Sequence, residues 1–409
     1  MSGGGISMEK ILFCNLDLLK RTFDGNDNPL LQKTRNQFLT YAKELCSDEE
    51  NHIYFISRNQ NLLNSAEDYF VEKQGYSNFK FRLREKARDF VMQHRHHNNL
   101  FVFIGGKEVD FHMAVHTRSL FIVPTWIPVE EKAEFYGVHV DTPEQLFKFI
   151  RTLNNHENWY AQVEIEPNVT ALSLMDGRYK YKSKTENERD MIEHFEQLLK
   201  FGQSRNYYDI LLYHFLAGMT NSKLFDDIEL FGMIPSSDCS WNRDIFSFMR
   251  QTRIIKGKHV PRKLTYGENL LLRKIPKQKA HLTLSTDQRS ILGAQEEFRT
   301  LCINPDFKNK INSLRKSGNF NVCIFDDYMT HGNSFNAVRN LLKQIGANQI
   351  IFVSLGNFGK PFQKRDYTIY GDIYDVGYTY SPLSSCVKYL TYNDTAKDEV
   401  SELYDIFNS

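Results

Sequence analysis

The stretch Val322-Cys-Ile-Phe-Asp-Asp-Tyr-Met-Thr-His-Gly-Asn-Ser-Phe335 carries residue types whose spacing suits one kind of chemistry. Asp326 and Asp327 are adjacent carboxylates, able to hold a sugar diol or a bound Mg²⁺. Thr330, His331, Gly332, Asn333 and Ser334 follow, small or polar around a glycine. The backbone N–H groups of such a turn, aimed with a helix N-terminus, cradle a phosphate. Ile234-Pro-Ser-Ser-Asp238 follows an apolar run as a turn with two hydroxyls, Ser236 and Ser237, a weaker signal because Pro-Ser-Ser is a common turn. Lys256, Lys258, Arg262, Lys263, Arg273, Lys274, Lys277 and Lys279 form a basic stretch that reads as a mobile flap over a polyanion. Near the other end, three apolar runs finish in polar groups: Asn15 and Asp17, then Ser57, then Asp110.

These groups need elements to hold them. Val322–Phe325 reads as a buried strand, and Phe335, Val338, Leu341 and Leu342 mark the helix after the cradle. Glu229–Ile234 and Gln349–Leu355 read as further strands. In residues 8–155, Ile11–Cys14, Ile53–Ile56, Leu100–Ile104 and Leu120–Val123 are apolar runs expected to form parallel strands. Leu31–Cys46 and Phe81–Met92 are expected helices between them. Asp141-Thr-Pro starts another, with Asp141 or Thr142 as cap and Pro143 in the first turn. Residues 156–204 read as a linker, with a β-ribbon over 156–185 and a helix over Glu186–Lys200. The expected plan is α/β: two Rossmann-like parallel-sheet domains, 8–155 and 205–375, with a tail over 376–409 ending in an amphipathic helix, Asp398–Phe407.

The pattern of hydrophobic strand, Asp326-Asp327, two residues, Thr330-x-Gly332-x-Ser334 resembles the signature of type I phosphoribosyltransferases, which bind phosphoribosyl pyrophosphate (PRPP). His331 stands where that family usually has a second Thr. Gln278, Arg289 and Phe298 resemble the competence-protein-F-like subfamily, although Leu292 replaces its usual Asn and its N-terminal zinc finger is missing. The resemblance covers 205–375. It implies that Asp326 and Asp327 hold ribose hydroxyls or Mg²⁺, that Thr330 to Ser334 grip the 5′-phosphate, and that Ser236, Ser237 and Arg289 contact pyrophosphate. The base would lie near Gly356-Asn-Phe-Gly359, where Phe358 is a candidate stacking ring.

Asn15-x-Asp17, Ser57 and Gly105-Gly-x-x-x-Asp110 resemble the motifs of haloacid dehalogenase phosphohydrolases over 8–155. The resemblance implies a nucleophile position at Asn15, an acid/base at Asp17, a phosphoryl contact at Ser57 and Mg²⁺ ligands at Asp17 and Asp110. Its lysine would be Lys80 or Lys86. Asn15 and Gly106 each replace the family's Asp, and an amide is a far poorer nucleophile than a carboxylate. This half is therefore expected to be inactive as a phosphatase. The pair implies a nucleotide-metabolism enzyme, of the kind found in bacterial stress and anti-phage gene clusters, with an operon partner or a homo-oligomer as its assembly. The competing expectation is a sensor that binds phosphorylated ligands without turnover.

Composition bounds these readings. The 409 residues, 41% hydrophobic and 25% charged, describe globular domains. A formal net charge of +1 gives no global case for nucleic acid. No apolar run approaches a membrane span. The six cysteines contain no CxxC pair, which suits reduced thiols in a cytoplasm.

Overall fold

A computed structural model describes residues 9–23, 25, 28–95, 99–153, 159–178, 189–190, 193–195, 197, 206–257, 269–277 and 294–408. The first half is built on six parallel strands: β1 (Glu9–Asn15), β2 (Asn51–Ser57), β3 (Phe79–Leu83), β4 (Asn99–Ile104), β5 (Leu120–Pro124) and β6 (Val138–Val140). Their spatial order is β3-β2-β1-β4-β5-β6. β1, β4 and β5 are buried almost throughout, as continuous apolar strands covered on both faces must be. The order reverses between β1 and β4, and in such sheets the crevice beyond the carboxyl ends at this reversal receives ligands.

The helix expected over Phe81–Met92 begins later. Phe79-Lys-Phe-Arg-Leu alternates at strand period. Phe79 and Phe81 pack on Phe55, at 5.2 and 5.5 Å between ring centroids. Lys80 and Arg82 lie over Tyr54, at 5.2 and 4.5 Å. The helix then runs Arg84–His94. Thr142 caps the helix Pro143–Thr152 by accepting from the Gln145 N–H.

The second sheet has the order β16-β7-β8-β13-β12-β9. Here β7 is Ala161–Glu166, β8 Val169–Asp176, β9 Leu230–Met233, β12 Asn321–Met329, β13 Gln349–Asn357 and β16 Thr391–Tyr392; a small pair, β10 (Leu271–Arg273) and β11 (Leu301–Ile303), lies apart. β8, β13, β12 and β9 are mutually parallel, while β7 and β16 run antiparallel at one edge. The ribbon expected as a linker is thus built into this sheet. β8 is buried along nearly its whole length, which suits an interior strand. The expected boundary at 375 falls inside a second ribbon, in which β14 (Phe362–Tyr370) pairs with β15 (Thr379–Lys388). Most of the helix expected over Glu186–Lys200 lies outside the described residues.

One apolar cluster runs through both halves, from Ile11 and Phe103 to Phe325 and Leu403. The helix Asn206–Asn221 lies against both β5 and β8. The terminal helix, Asp394–Asn408, packs on it and on Pro143–Thr152. Phe407 stands 5.5 Å from Phe149 and 4.9 Å from Tyr213, and the Thr152 hydroxyl donates to Glu402 at 2.8 Å. β7 and β8 and the terminal helix bury apolar residues within the chain, among them Val163, Ile165, Leu172, Val400 and Leu403. All six cysteines are unbridged, and no helix among the described residues is long and apolar enough to cross a membrane.

Candidate functional site

β12 is longer than the sequence suggests and carries Asp326 and Asp327 itself, half-buried at its carboxyl end. The Asp327 N–H donates to Asp326 Oδ1 at 3.0 Å, and the Tyr328 N–H donates to Asp327 Oδ1 at 2.6 Å. Burial drives the Asp326 carboxyl well above the usual range, and the charges of Asp327 and Glu297 add to the effect. The chain then turns through Thr330 and His331 to Gly332, whose φ of +73° is left-handed. A Cβ there would also collide with the Phe362 ring, so glycine is required twice over. The helix Asn333–Gln344 starts immediately, with its first amides beside Asn333 and Ser334.

β9 pairs with β12 as far as Met233, and the Ile234 N–H donates to the Phe325 carbonyl. The loop carrying Ser236 and Ser237 therefore departs next to Asp326. It closes on itself: the Ser236 N–H donates to the Ser240 carbonyl, and the Lys277 N–H donates to the Ser237 carbonyl at 2.7 Å.

A residue with no sequence signal braces the two loops. Glu297 is buried and accepts from the Ser334 hydroxyl at 2.8 Å. It pairs with Arg273 at 2.8 Å and Lys277 at 2.5 Å. Arg273 also donates to the Pro235 carbonyl from Nε and Nη2, both at 3.2 Å. Burial alone would raise the Glu297 carboxyl, but Lys277 and Arg273 outweigh it and hold it at about 2. Two described cations of the expected flap are thus fixed in this brace. Lys256 is also buried, 3.4 Å from Asp226. Lys258, Arg262, Lys263, Lys279, Gln278, Arg289 and Leu292 lie outside the described residues. Phe298 is a core ring against Tyr367 and Tyr380. Phe358 stacks on Tyr328 at 5.1 Å, in space that Gly356 leaves open.

The first half gathers Asn15, Asp17 and Asp110 at the switch between β1 and β4. Asn15 Nδ2 donates to Asp110 Oδ2 at 2.7 Å, while its Oδ1 accepts from the Asp17 N–H at 2.9 Å. Arg84 pairs with the other oxygen of Asp110 at 2.5 Å. Neither lysine expected here is among the partners of Asp110: Lys80 lies on Tyr54, and Lys86 is exposed. Asp17 is held by Lys107 at 2.6 Å and Lys20 at 2.7 Å. Burial alone would raise its carboxyl, but those two lysines bring it below the usual range. Ser57 ends β2, and its hydroxyl accepts from the Asn59 N–H at 3.2 Å.

The two sites differ in their fit to Mg²⁺. Mg²⁺ commonly takes one or two carboxylates and completes its shell with substrate phosphates and water. Asp326 and Asp327 fit that role, because a cation would relieve the charge crowding that adds to the effect of burial at Asp326. Asp17 and Asp110 do not fit. Three protein cations already neutralise these two carboxylates, and Asn15 adds no charge. No cluster of three or more His, Cys, Asp or Glu suited to a metal occurs among the described residues. Compared with known proteins, the chain matches no family model, no curated protein and no solved structure.

Proposed function

We propose that the carboxyl edge of the second sheet is a PRPP-dependent phosphoribosyltransferase site acting on a nitrogenous base or nucleotide. The observation that carries the reading is the delivery of Asp326 and Asp327 by β12 directly into a left-handed Gly332 and a helix N-terminus. An acidic pair beside an anion cradle suits a substrate with a sugar diol at one end and a phosphate at the other. Thr330, Gly332, Asn333 and Ser334 would grip the 5′-phosphate and fix the position of C1. Asp326 and Asp327 would hold the ribose hydroxyls and favour positive charge as the C1–oxygen bond breaks. The bonding pair leaves with pyrophosphate, toward the Ser236–Ser237 loop, and a base nitrogen forms the new bond to C1. Bound Mg²⁺ would supply charge neutralisation for the departing diphosphate. Pyrophosphate attack on a nucleotide is the same step reversed.

The first half fits a phosphatase-like scaffold without turnover, because Asn15 replaces the nucleophile and protein cations neutralise its carboxylates. A second reading has one observation in its favour. Ser334, a cradle hydroxyl, donates to the buried Glu297. A cradle partly satisfied from within suits a sensor that binds a phosphorylated ligand without transfer.

Calorimetric titration with PRPP in Mg²⁺ tests the site itself. The account expects saturable binding that weakens at least tenfold in Asp326→Asn plus Asp327→Asn. Equal binding by parent and variant would remove the acidic pair from the site.

A further inference from the structure

The ribbon of β14 and β15 has two outer edges, and the chain covers one of them. On the β14 side, the Asn336 side chain accepts from the Arg365 N–H at 3.1 Å and donates to the Gln363 carbonyl. Asn340 accepts from the Tyr367 N–H and donates to the Arg365 carbonyl, both at 3.0 Å. The Gln363 N–H donates to the His331 carbonyl. These backbone groups point away from β15. In an antiparallel ladder, opposed residues either exchange hydrogen bonds or both turn outward. Ser385, opposite Arg365, and Val387, opposite Gln363, therefore turn their N–H and C=O groups to the outer edge of β15. Among the described residues β15 pairs with β14 alone, and nothing caps that edge as Asn336 and Asn340 cap the other.

The open stretch has definite ends. Pro382 lies opposite Tyr367, so it also faces the outer edge and brings no N–H there. Leu390 packs back against the core. Between them, residues 383–389 are exposed except at Lys388, with Leu383 72% and Tyr389 81% exposed. Lys388 is the one charged residue of the stretch. Open edges are commonly guarded by charge, and a partner chosen by charge would find little to read here. A second copy of the chain fits by symmetry. The midpoint of 383–389 is Cys386. A two-fold axis at that point sets Ser385 against Val387 of the second copy as a hydrogen-bonded pair, and Tyr389 against its Leu383, each contact made twice. The two Lys388 side chains fall at opposite ends of the pairing and do not meet.

We propose that β15 pairs antiparallel with β15 of a second copy about a two-fold axis at Cys386, joining two ribbons into one four-stranded sheet. The β14 edge is fixed by Asn336 and Asn340, so the ribbon presents a preformed template. One short strand makes a small interface, and the dimer is accordingly concentration-dependent.

Sedimentation velocity of the full chain over roughly 1–200 μM tests this. A shift from monomer to dimer is expected. The dimer should weaken at least tenfold in Ser385→Pro, which removes an outward N–H, and in Val387→Lys, which brings like charges toward the axis. Both positions are exposed, so the melting temperature should stay near that of the parent. Cys386 reports the register. Opposed residues that do not exchange hydrogen bonds have Cα atoms about 4.5 Å apart, within disulfide reach. Copper-catalysed air oxidation should therefore give a covalent dimer in the parent and none in Cys386→Ser, which should still dimerise in sedimentation. The proposal is overturned by a monomer throughout the range, by a dimer that both edge variants leave unchanged, or by a dimer in which Cys386 does not cross-link.

Discussion

An aspartate at position 15 would set a second carboxylate oxygen against Asp110, at the 2.7 Å now spanned by an amide hydrogen bond. Asn15→Asp should therefore lower the melting temperature in EDTA, by a loss of roughly 1–3 kcal/mol. Mg²⁺ should restore more stability to this variant than to the parent. Equal melting in EDTA would show that the amide is not what satisfies Asp110. Glu297 makes the opposite kind of claim. Its carboxyl sits at about 2, below the ordinary 4.5. A lowered carboxylate stabilises the fold above its unfolded pKa, and that contribution disappears as pH falls from 4.5 toward 2. The difference is worth roughly 3 kcal/mol. Urea midpoints measured over that window should fall more steeply in the parent than in Glu297→Gln, which should itself cost about 3–5 kcal/mol by stranding Arg273 and Lys277. Parallel pH curves would contradict the brace. These residues also mark the limit of sequence reading. Asp326, Asp327 and Gly332 are legible from local spacing. Glu297 is one glutamate among many, and Arg84 reaches Asp110 only because β3 ends one residue before it.

Gly332 connects an element to its chemistry. With φ at +73° and the Phe362 ring against its Cα, Gly332→Ala should cost at least about 1–3 kcal/mol and shift the start of the helix Asn333–Gln344. PRPP affinity should fall with it. Retained stability and affinity would mean that the turn relaxes freely. The strands of the first sheet were legible as apolar runs, except β3 and β6. β3 was hidden because Phe79–Leu83 merges with the helical pattern after Arg84. β8 was misplaced for a different reason. A hairpin reads locally as a ribbon, and nothing in Val169–Asp176 announces that β13, far along the chain, pairs with its open edge.

At the scale of the whole molecule, two sheets share one apolar cluster, and the C-terminal helix lies across both halves. Calorimetry should therefore show a single unfolding transition. Removal of residues 394–409 should expose Phe149 and Tyr213 and lower the melting temperature of both halves together. Two separate transitions in the full chain would argue for independent domains. This coupling was not legible, because a composition-based division at 156, 205 and 376 cannot see the packing of Phe407 on Phe149 and Tyr213. The central claim is chemical and has a direct measurement: PRPP turnover with Mg²⁺ against a panel of purines, pyrimidines and nucleotides, read as pyrophosphate release and product mass. The account predicts release tied to one acceptor class and lost in Asp326→Asn plus Asp327→Asn. Saturable PRPP binding with no release from any acceptor would contradict it and leave the sensor in its place.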